Sequence, residues 1–134
     1  MKRPTVAILA LLTLALAAAG CARGADLGDT NWRLISLEGT SPIEGSSITL
    51  SFADGRAAGS AGCNRYFGSY EVDGKTLTLG ALGSTKMACH DPQGVMNQEQ
   101  RYLELLGAAE RFEVRDGELR ISSAEGQELV FEAQ

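Results

Sequence analysis

Two cysteines and the only histidine of the chain are the residues best suited to covalent or metal chemistry. His90 directly follows Cys89, and Cys63 lies earlier in the chain, after Gly62. A Ser-His-Asp or Cys-His pair would have His90 as its only possible base, and the sequence places no nucleophile for it. We therefore expect no catalytic residues and no enzyme.

The same two cysteines allow three kinds of structure. A Cys63–Cys89 disulfide would close a loop of about 27 residues and stabilise the fold by about 3.5 kcal/mol in the chain-entropy model. Two buried free thiols are the next alternative. A metal site built from Cys63, Cys89 and His90 is disfavoured, because adjacent residues point differently and no fourth ligand is evident. We expect the disulfide, with no metal and no cofactor.

The third cysteine, Cys21, stands at the end of an export signal. Lys2 and Arg3 precede an apolar run over Val6–Ala19, and small residues follow it. This is the layout of a secretory signal peptide. As a helix, the run would reach about 21 Å, short of the roughly 30 Å hydrocarbon layer of a membrane. We expect a cleaved signal rather than a membrane span.

The residues around the expected cleavage site resemble the lipobox of bacterial lipoproteins. The sequence reads Ala18-Ala19-Gly20-Cys21, with Ala18 where such proteins favour leucine. The resemblance implies a lipid on the Cys21 sulfur, a signal peptide at 1–20, a tether at 21–28 and a domain at 29–134. Ala22 resembles the signal for outer-membrane delivery, which would face the protein to the periplasm of a diderm host. The alternative is an ordinary signal with a coincidental cysteine.

The charge of the chain argues against some partners. The sequence has 12 basic and 17 acidic residues, and its net charge is −5. Removal of residues 1–20 takes away Lys2 and Arg3 and no acid, so the charge becomes −7. Nucleic-acid affinity comes largely from basic residues that neutralise phosphates, so we expect no nucleic-acid partner. Membrane attachment should come from Cys21, and we expect a monomer.

Most of the domain has the pattern of short antiparallel strands. Ile48, Leu50 and Phe52 alternate with polar residues, and Asp-Gly dipeptides follow apolar segments at three places. Such dipeptides favour tight hairpin turns. Eight or nine strands are expected, which predicts an α+β fold that is mainly antiparallel β.

One segment from about Asp91 to Ala109 has helical spacing instead. Met96, Leu103, Leu106 and Ala109 recur at helical intervals. Asp91-Pro92 is typical of an N-cap followed by proline in the first helical position. We expect this helix to pack on the sheet, with a partner-docking face as the alternative.

The order of several motifs resembles the META/HslJ domain from about Leu27 to Phe131. The motifs are Trp32-Arg33-Leu34, Gly62-Cys63-Asn64-Arg65-Tyr66, Ser84-Thr85-Lys86-Met87-Ala88-Cys89, Glu99 with Tyr102-Leu103, and Leu129-Val130-Phe131. The resemblance implies a small cracked-barrel-like sheet with one packing helix. It also implies an envelope lipoprotein of the kind associated with stress response and novobiocin tolerance, and it does not imply an enzyme.

The structural motif in this resemblance is Gly62, Cys63, Asn64 and Glu99. Asn64 either points into a pocket or bonds the backbone of a bend, and we favour the second. Glu99 lies near the apolar stripe of the helix, where it could bond the amides of the same bend. If so, its replacement by alanine should lower the melting temperature.

Three functions remain open from the sequence. The first is a non-catalytic, lipid-anchored envelope protein that supports envelope integrity or stress tolerance through a protein partner. The second is a lipid or small-ligand binding protein that uses the interior of an open barrel. The third is an inhibitor of another envelope enzyme.

Overall fold

The computed structural model describes residues 26–134. The expected signal peptide, Cys21 and most of the expected tether lie outside these residues. The end of the tether is folded, however, because Leu27 is buried in the core and the Thr30 hydroxyl donates a 2.6 Å hydrogen bond to its carbonyl. The folded part therefore begins earlier than expected.

Nine strands and one helix make up the described part of the chain, as the sequence pattern predicts. In chain order they are β1 (Thr30–Leu37), β2 (Thr49–Ala53), β3 (Arg56–Ser60), β4 (Arg65–Asp73), β5 (Thr76–Leu79), β6 (Gly83–Ser84), α1 (Val95–Gly107), β7 (Ala109–Arg115), β8 (Glu118–Ser123) and β9 (Glu128–Ala133). The expected fold class, mainly antiparallel β with one helix, is confirmed.

Eight of the strands form a closed antiparallel barrel in the order β1-β2-β3-β4-β5-β7-β8-β9, and β9 pairs back with β1. The β3–β4 ladder that completes the ring runs from Arg56 opposite Ser69 to Ser60 opposite Arg65. The ladder between β5 and β7 is shorter and has one residue pair. The barrel is thus closed rather than open, and β6 pairs with β4 on the same edge as β5, beyond the end of β5.

Two of the three Asp-Gly dipeptides, Asp54-Gly55 and Asp116-Gly117, form the expected hairpin turns between β2 and β3 and between β7 and β8. Between β4 and β5 the turn lies one residue later than expected, at Gly74 and Lys75, because Asp73 is the last residue of β4 and pairs with Thr76. Asp54 and Gly55 both have positive φ, at 50° and 72°, as do Asp116 and Gly117, at 53° and 79°. Two consecutive left-handed residues match the twist of the strands that they join.

The helix begins later than the sequence predicts. The expected N-cap at Asp91 is wrong, since Gly94 occupies that position in a left-handed conformation with φ 85°. The reason is a turn before the helix, in which the Val95 N–H donates a 3.1 Å hydrogen bond to the Pro92 carbonyl. Within residues 26–134, no helix has the length and apolar character that crossing a membrane requires.

Aromatic side chains join α1 to the barrel. Tyr102 on α1 lies with its ring centroid 5.6 Å from that of Tyr66 and 6.4 Å from that of Phe131, in edge-to-face arrangements. All three are fully buried, and leucine and isoleucine side chains from the surrounding strands belong to the same cluster. The interior of the barrel is therefore filled by side chains.

Candidate functional site

A disulfide connects two segments next to α1. It joins Cys63, which follows β3, to Cys89, which follows β6, with 6.0 Å between the Cα atoms. That separation is ordinary for a disulfide. The structure thus contains the expected bridge, so neither of these cysteines is a free thiol. Among the described residues, no three Cys, His, Asp or Glu side chains form a group that could hold a metal ion.

The carboxylate of Glu99 on α1 binds the bend beside this disulfide. Its Oε2 accepts hydrogen bonds from the backbone N–H groups of Cys63, at 2.9 Å, and Asn64, at 2.6 Å. Its Oε1 accepts a 2.6 Å hydrogen bond from the Asn64 side-chain amide. Glu99 is buried, with 5% of its surface exposed. Hydrogen bonds to a charged group are stronger than neutral ones, and here they offset the cost of burial.

The side chain of Asn64 connects this bend to a third segment. Its Oδ1 accepts hydrogen bonds from the Thr85 hydroxyl, at 2.9 Å, and the Met87 N–H, at 2.7 Å. Its Nδ2 also donates a 3.1 Å hydrogen bond to the Met87 carbonyl. Both donor hydrogens and both acceptor positions of the amide are therefore used. Asn64, only 3% exposed, holds the segment after β6 against the bend and α1.

The bend itself depends on Gly62. Its φ is +114°, and a Cβ added there would lie 3.3 Å from Cγ2 of Val95. A side chain at this position would meet both backbone strain and the first turn of α1. Glycine thus allows the Cys63 and Asn64 amides to approach Glu99.

Polar contacts on another side of α1 hold it to the connection between β1 and β2. Gln98 accepts a 2.7 Å hydrogen bond from the Ile43 N–H and donates one of 2.9 Å to the Ser46 hydroxyl. Arg101 makes two hydrogen bonds to Glu38, at 2.8 and 2.5 Å, and these bonds lower the pKa of the Glu38 carboxyl. Hydrogen bonds therefore hold the helix on two sides, to the bend at Cys63 and to the connection between β1 and β2.

An open groove of about 590 Å³ lies between α1 and the segment that contains β6. We name it the α1 groove. Its apolar surface comes from Leu82, Met87, Met96 and Leu103, and its polar lining from Asn64, Ser84, Thr85, Lys86, Asn97, Glu99, Gln100 and Glu104. Met87 has 56% of its surface exposed, which is high for a large apolar side chain. The Asn64–Glu99 hydrogen bonds thus lie beneath a surface that is open to a ligand.

A buried tyrosine pair lies in the barrel next to this site. The Tyr66 hydroxyl donates a 2.7 Å hydrogen bond to the Thr49 carbonyl, so the 2.7 Å contact with Tyr102 uses the Tyr102 proton. Burial raises the pKa of both hydroxyls above the ordinary value for tyrosine. The pair is a structural contact between α1 and β4.

The structure brings together Gly62, Cys63, Asn64, Cys89 and Glu99, while Cys21 lies outside the described residues. His90 is exposed beside the disulfide. The sequence alone assigns no role to Thr85 and Met87, which bind Asn64. Their position in the Ser-Thr-x-Met-x-Cys motif was visible, but only the folded chain shows what they contact.

These features define a class of small closed antiparallel barrel with one helix fastened across it. The META domain family model matches residues 25–134, and the chain belongs to the META domain family.

Two solved structures are similar to this chain. One is a protein from Burkholderia xenovorans solved by NMR, which is 30% identical, with a TM-score of 0.63 over 100% of this chain and 98% of that one. A second NMR structure is 24% identical, with a TM-score of 0.62 over 77% of this chain and 87% of that one, and it shows the fold alone. No curated protein matches the chain.

Proposed function

We propose that the protein is a non-catalytic, lipid-anchored envelope protein that binds a protein partner through the α1 groove. In this role it supports envelope integrity or tolerance of stress and of novobiocin-type antibiotics. The observation that carries the proposal is the groove itself, an open surface with apolar side chains held by a buried hydrogen-bond network. Accessible apolar surface of this kind is typical of binding sites.

The position of the groove in the barrel favours a protein partner over the membrane. The chain enters the barrel beside the β2–β3 turn, because Thr30 pairs with Phe52. The β3 strand runs from that turn to the bend at Cys63, and its five residues span about 15 Å. A lipid on Cys21 would therefore hold the end of the barrel with the β2–β3 turn toward the membrane. The groove lies toward the end with the bend at Cys63, so it would face away from the membrane.

Negative charge at the end of the barrel where the chain enters also supports this orientation. Burial raises the pKa of the Tyr70 hydroxyl, and the negative charges of nearby aspartates, Asp26, Asp29 and Asp54, raise it further. Three carboxylates in one place would be repelled by an anionic lipid surface. The proposed attachment therefore depends on the lipid, and the domain stands clear of the membrane surface.

The side chains at the site favour a non-catalytic role. Both Glu99 oxygens accept hydrogen bonds from groups of the protein itself, so the carboxylate is not free to act as a general base. Cys89 is in a disulfide, so it offers no thiolate to the neighbouring His90.

The alternative of a lipid or small-ligand carrier has weaker support. It requires space inside the barrel, whereas Tyr66, Tyr102 and Phe131 pack together there with no more than 1% of their surface exposed. A ligand in the interior would have to displace these rings.

Photo-crosslinking in living cells tests partner binding. A photoreactive amino acid at Gln100, which is exposed in the groove, should capture one discrete protein, while the same group at Glu71 on β4 should not. Equal capture from both positions would contradict a partner in the groove.

Gene deletion tests the physiological role. Cells without the gene should become more sensitive to novobiocin, heat and detergents, and the wild-type gene should restore tolerance. The Gln100→Trp variant, which fills the groove, should fail to restore it, whereas the matched surface variant Glu71→Trp should succeed. Unchanged sensitivity of the deletion strain would refute the envelope role.

Labelling with radioactive palmitate tests the anchor. The wild-type chain should take up label and remain with the membrane fraction, and Cys21→Ala should take up none. Label that persists in Cys21→Ala would exclude this cysteine as the lipidation site.

A further inference from the structure

We propose that the partner presents an extended segment with apolar side chains and an acidic residue, and that this segment adds as a strand to the free edge of β6 in the α1 groove. The inference deepens the proposed function and rests on it. It concerns how the partner is recognised.

The outer edge of β6 is the first observation. β6 pairs with β4 on one side and ends the sheet on the other. The Thr85 N–H donates a 3.0 Å hydrogen bond to the Arg65 carbonyl, so residue 85 faces β4. Because backbone groups alternate in direction along an antiparallel strand, the N–H and carbonyl of Ser84 face away from β4.

These outward groups are unused within the part of the chain that the structure describes. Residues 26–134 provide no hydrogen-bond partner to the backbone N–H or carbonyl of Ser84, nor to those of Leu82 and Lys86, which flank β6. All three residues line the α1 groove. An extended peptide could pair with them, as in other cases of strand addition to a sheet edge.

The groove is held ready for such a peptide. Asn64 binds both backbone groups of Met87 and the hydroxyl of Thr85, and the disulfide fixes Cys89 just beyond them. The edge is therefore positioned before a ligand arrives, which lowers the entropic cost of binding.

The side chains of the groove specify the apolar character of the segment. Leu82 and Leu103 lie toward the end of α1, where Leu82 Cδ1 is 4.0 Å from a Cβ built on Gly107. Met87 and Met96 lie at the other end, where the Cys89 N–H is 3.4 Å from the Met96 sulfur. Methionine adapts to irregular ligand shapes, and alternate apolar side chains of an added strand would contact this surface.

Charge complementarity specifies the acidic residue. The Lys86 ammonium donates a 3.1 Å hydrogen bond to the Ser84 hydroxyl, and no carboxylate among residues 26–134 lies within ion-pairing distance of it. A carboxylate of the added segment next to Lys86 would supply the missing partner of its ammonium group.

Selection from a display library of short linear peptides of random sequence tests the inference, with the full chain in detergent as the target. Peptides that bind in the groove should lose binding to Gln100→Trp and keep it to Glu71→Trp. They should carry apolar residues at alternate positions and an acidic residue at one end, and the Lys86→Glu variant should no longer prefer the acid.

Backbone methylation of the tightest-binding peptide provides the decisive measurement. Only every second amide of an added strand faces β6, so methylation of one alternating set should weaken binding by about tenfold or more, and methylation of the other set by less than about twofold. Equal effects of the two sets would overturn strand addition, although groove-dependent binding would still agree with the proposed function. Failure to select any groove-dependent peptide would also overturn the inference, while the crosslinking at Gln100 tests the proposed function separately.

Discussion

Asn64 and Glu99 lie 35 positions apart in the chain, yet a hydrogen bond of 2.6 Å joins the amide nitrogen of one to the carboxylate of the other. Through this pair, the bend after β3, the segment after β6 and α1 are held together. The α1 groove lies directly over it. The stability of the domain and the shape of the groove therefore depend on the same hydrogen bonds.

Replacement of Glu99 by alanine should destabilise the protein strongly. The change removes three hydrogen bonds and leaves the half-buried amide of Cys63 and the buried amide of Asn64 without acceptors, at a cost of about 3 kcal/mol. For a domain of this size, the Tm should fall by about 10 °C in a calorimetric melt.

Two other variants sharpen that measurement. Glu99→Gln should also be costly, because an amide cannot present an acceptor oxygen on both sides. Glu104→Ala is the matched control, since Glu104 is 54% exposed and its loss should change stability by less than about 0.5 kcal/mol. Equal melts for Glu99→Ala and Glu104→Ala would disprove the structural role of Glu99.

The Cys63–Cys89 disulfide should stabilise the fold by about 3.5 kcal/mol, because it restricts a long loop in the unfolded chain. Denaturant titration of the wild-type protein with and without reductant measures this difference. The double variant Cys63→Ala/Cys89→Ala should have the lower stability of the reduced protein, and reductant should not change it. A wild-type protein that is equally stable in both conditions would argue against a bridge, as would two cysteines that alkylate without reductant.

Local features of the barrel could be predicted from the sequence, whereas its closure could not. An Asp-Gly turn constrains residues next to it, so hairpins such as the one at Asp54-Gly55 follow from short-range chemistry. The β1–β9 ladder, in contrast, pairs Trp32 with Ala133 across nearly the whole domain. Alternation of apolar residues shows that a strand has a buried face, but it does not identify the neighbouring strand.

The candidate site, like the barrel, could be predicted only in part from the sequence. Glu99 interrupts an apolar stripe, and Asn64 follows a glycine and a cysteine, so a contact between them was a reasonable expectation. The predicted start of the helix was wrong, because Asp91-Pro92 has the composition of an N-cap but the chain makes a further turn before the helix and its N-cap is Gly94. The role of Met87 could not be predicted, since it binds Asn64 through its backbone and any residue type has those groups.

Two glycine substitutions should have opposite effects. In Gly59→Ala, the new Cβ would lie 2.0 Å from the Thr49 carbonyl oxygen, so β2 and β3 would have to separate, at a cost of about 3 kcal/mol or more. In Gly107→Ala, the nearest atom is Leu82 Cδ1 at 4.0 Å, and the better helix propensity of alanine should stabilise the protein by up to about 1 kcal/mol. Thermal melts of the two variants compare them directly, and a tolerated Gly59→Ala would contradict the close approach of the two strands.

The buried tyrosine pair should make the protein sensitive to alkali. Burial raises the pKa of Tyr66 and Tyr102 in the folded state, while both titrate near pH 10 in the unfolded chain. The unfolded state therefore loses protons first, and the contribution of the pair, which is fully present below about pH 10, declines as the pH rises further. The free energy of unfolding should fall by about 1.4 kcal/mol per pH unit for each of the two residues.

Ultraviolet absorbance of tyrosinate, followed together with circular dichroism, checks this expectation. Of the three tyrosines in the sequence, only Tyr70 should ionise while the protein is folded, and the other two should ionise on unfolding. Tyr70→Phe should keep the steep alkaline loss of stability, whereas Tyr66→Phe/Tyr102→Phe should flatten it, despite a lower stability at neutral pH. If all three tyrosines ionise with the circular dichroism spectrum unchanged, the pair is not buried as the structure places it.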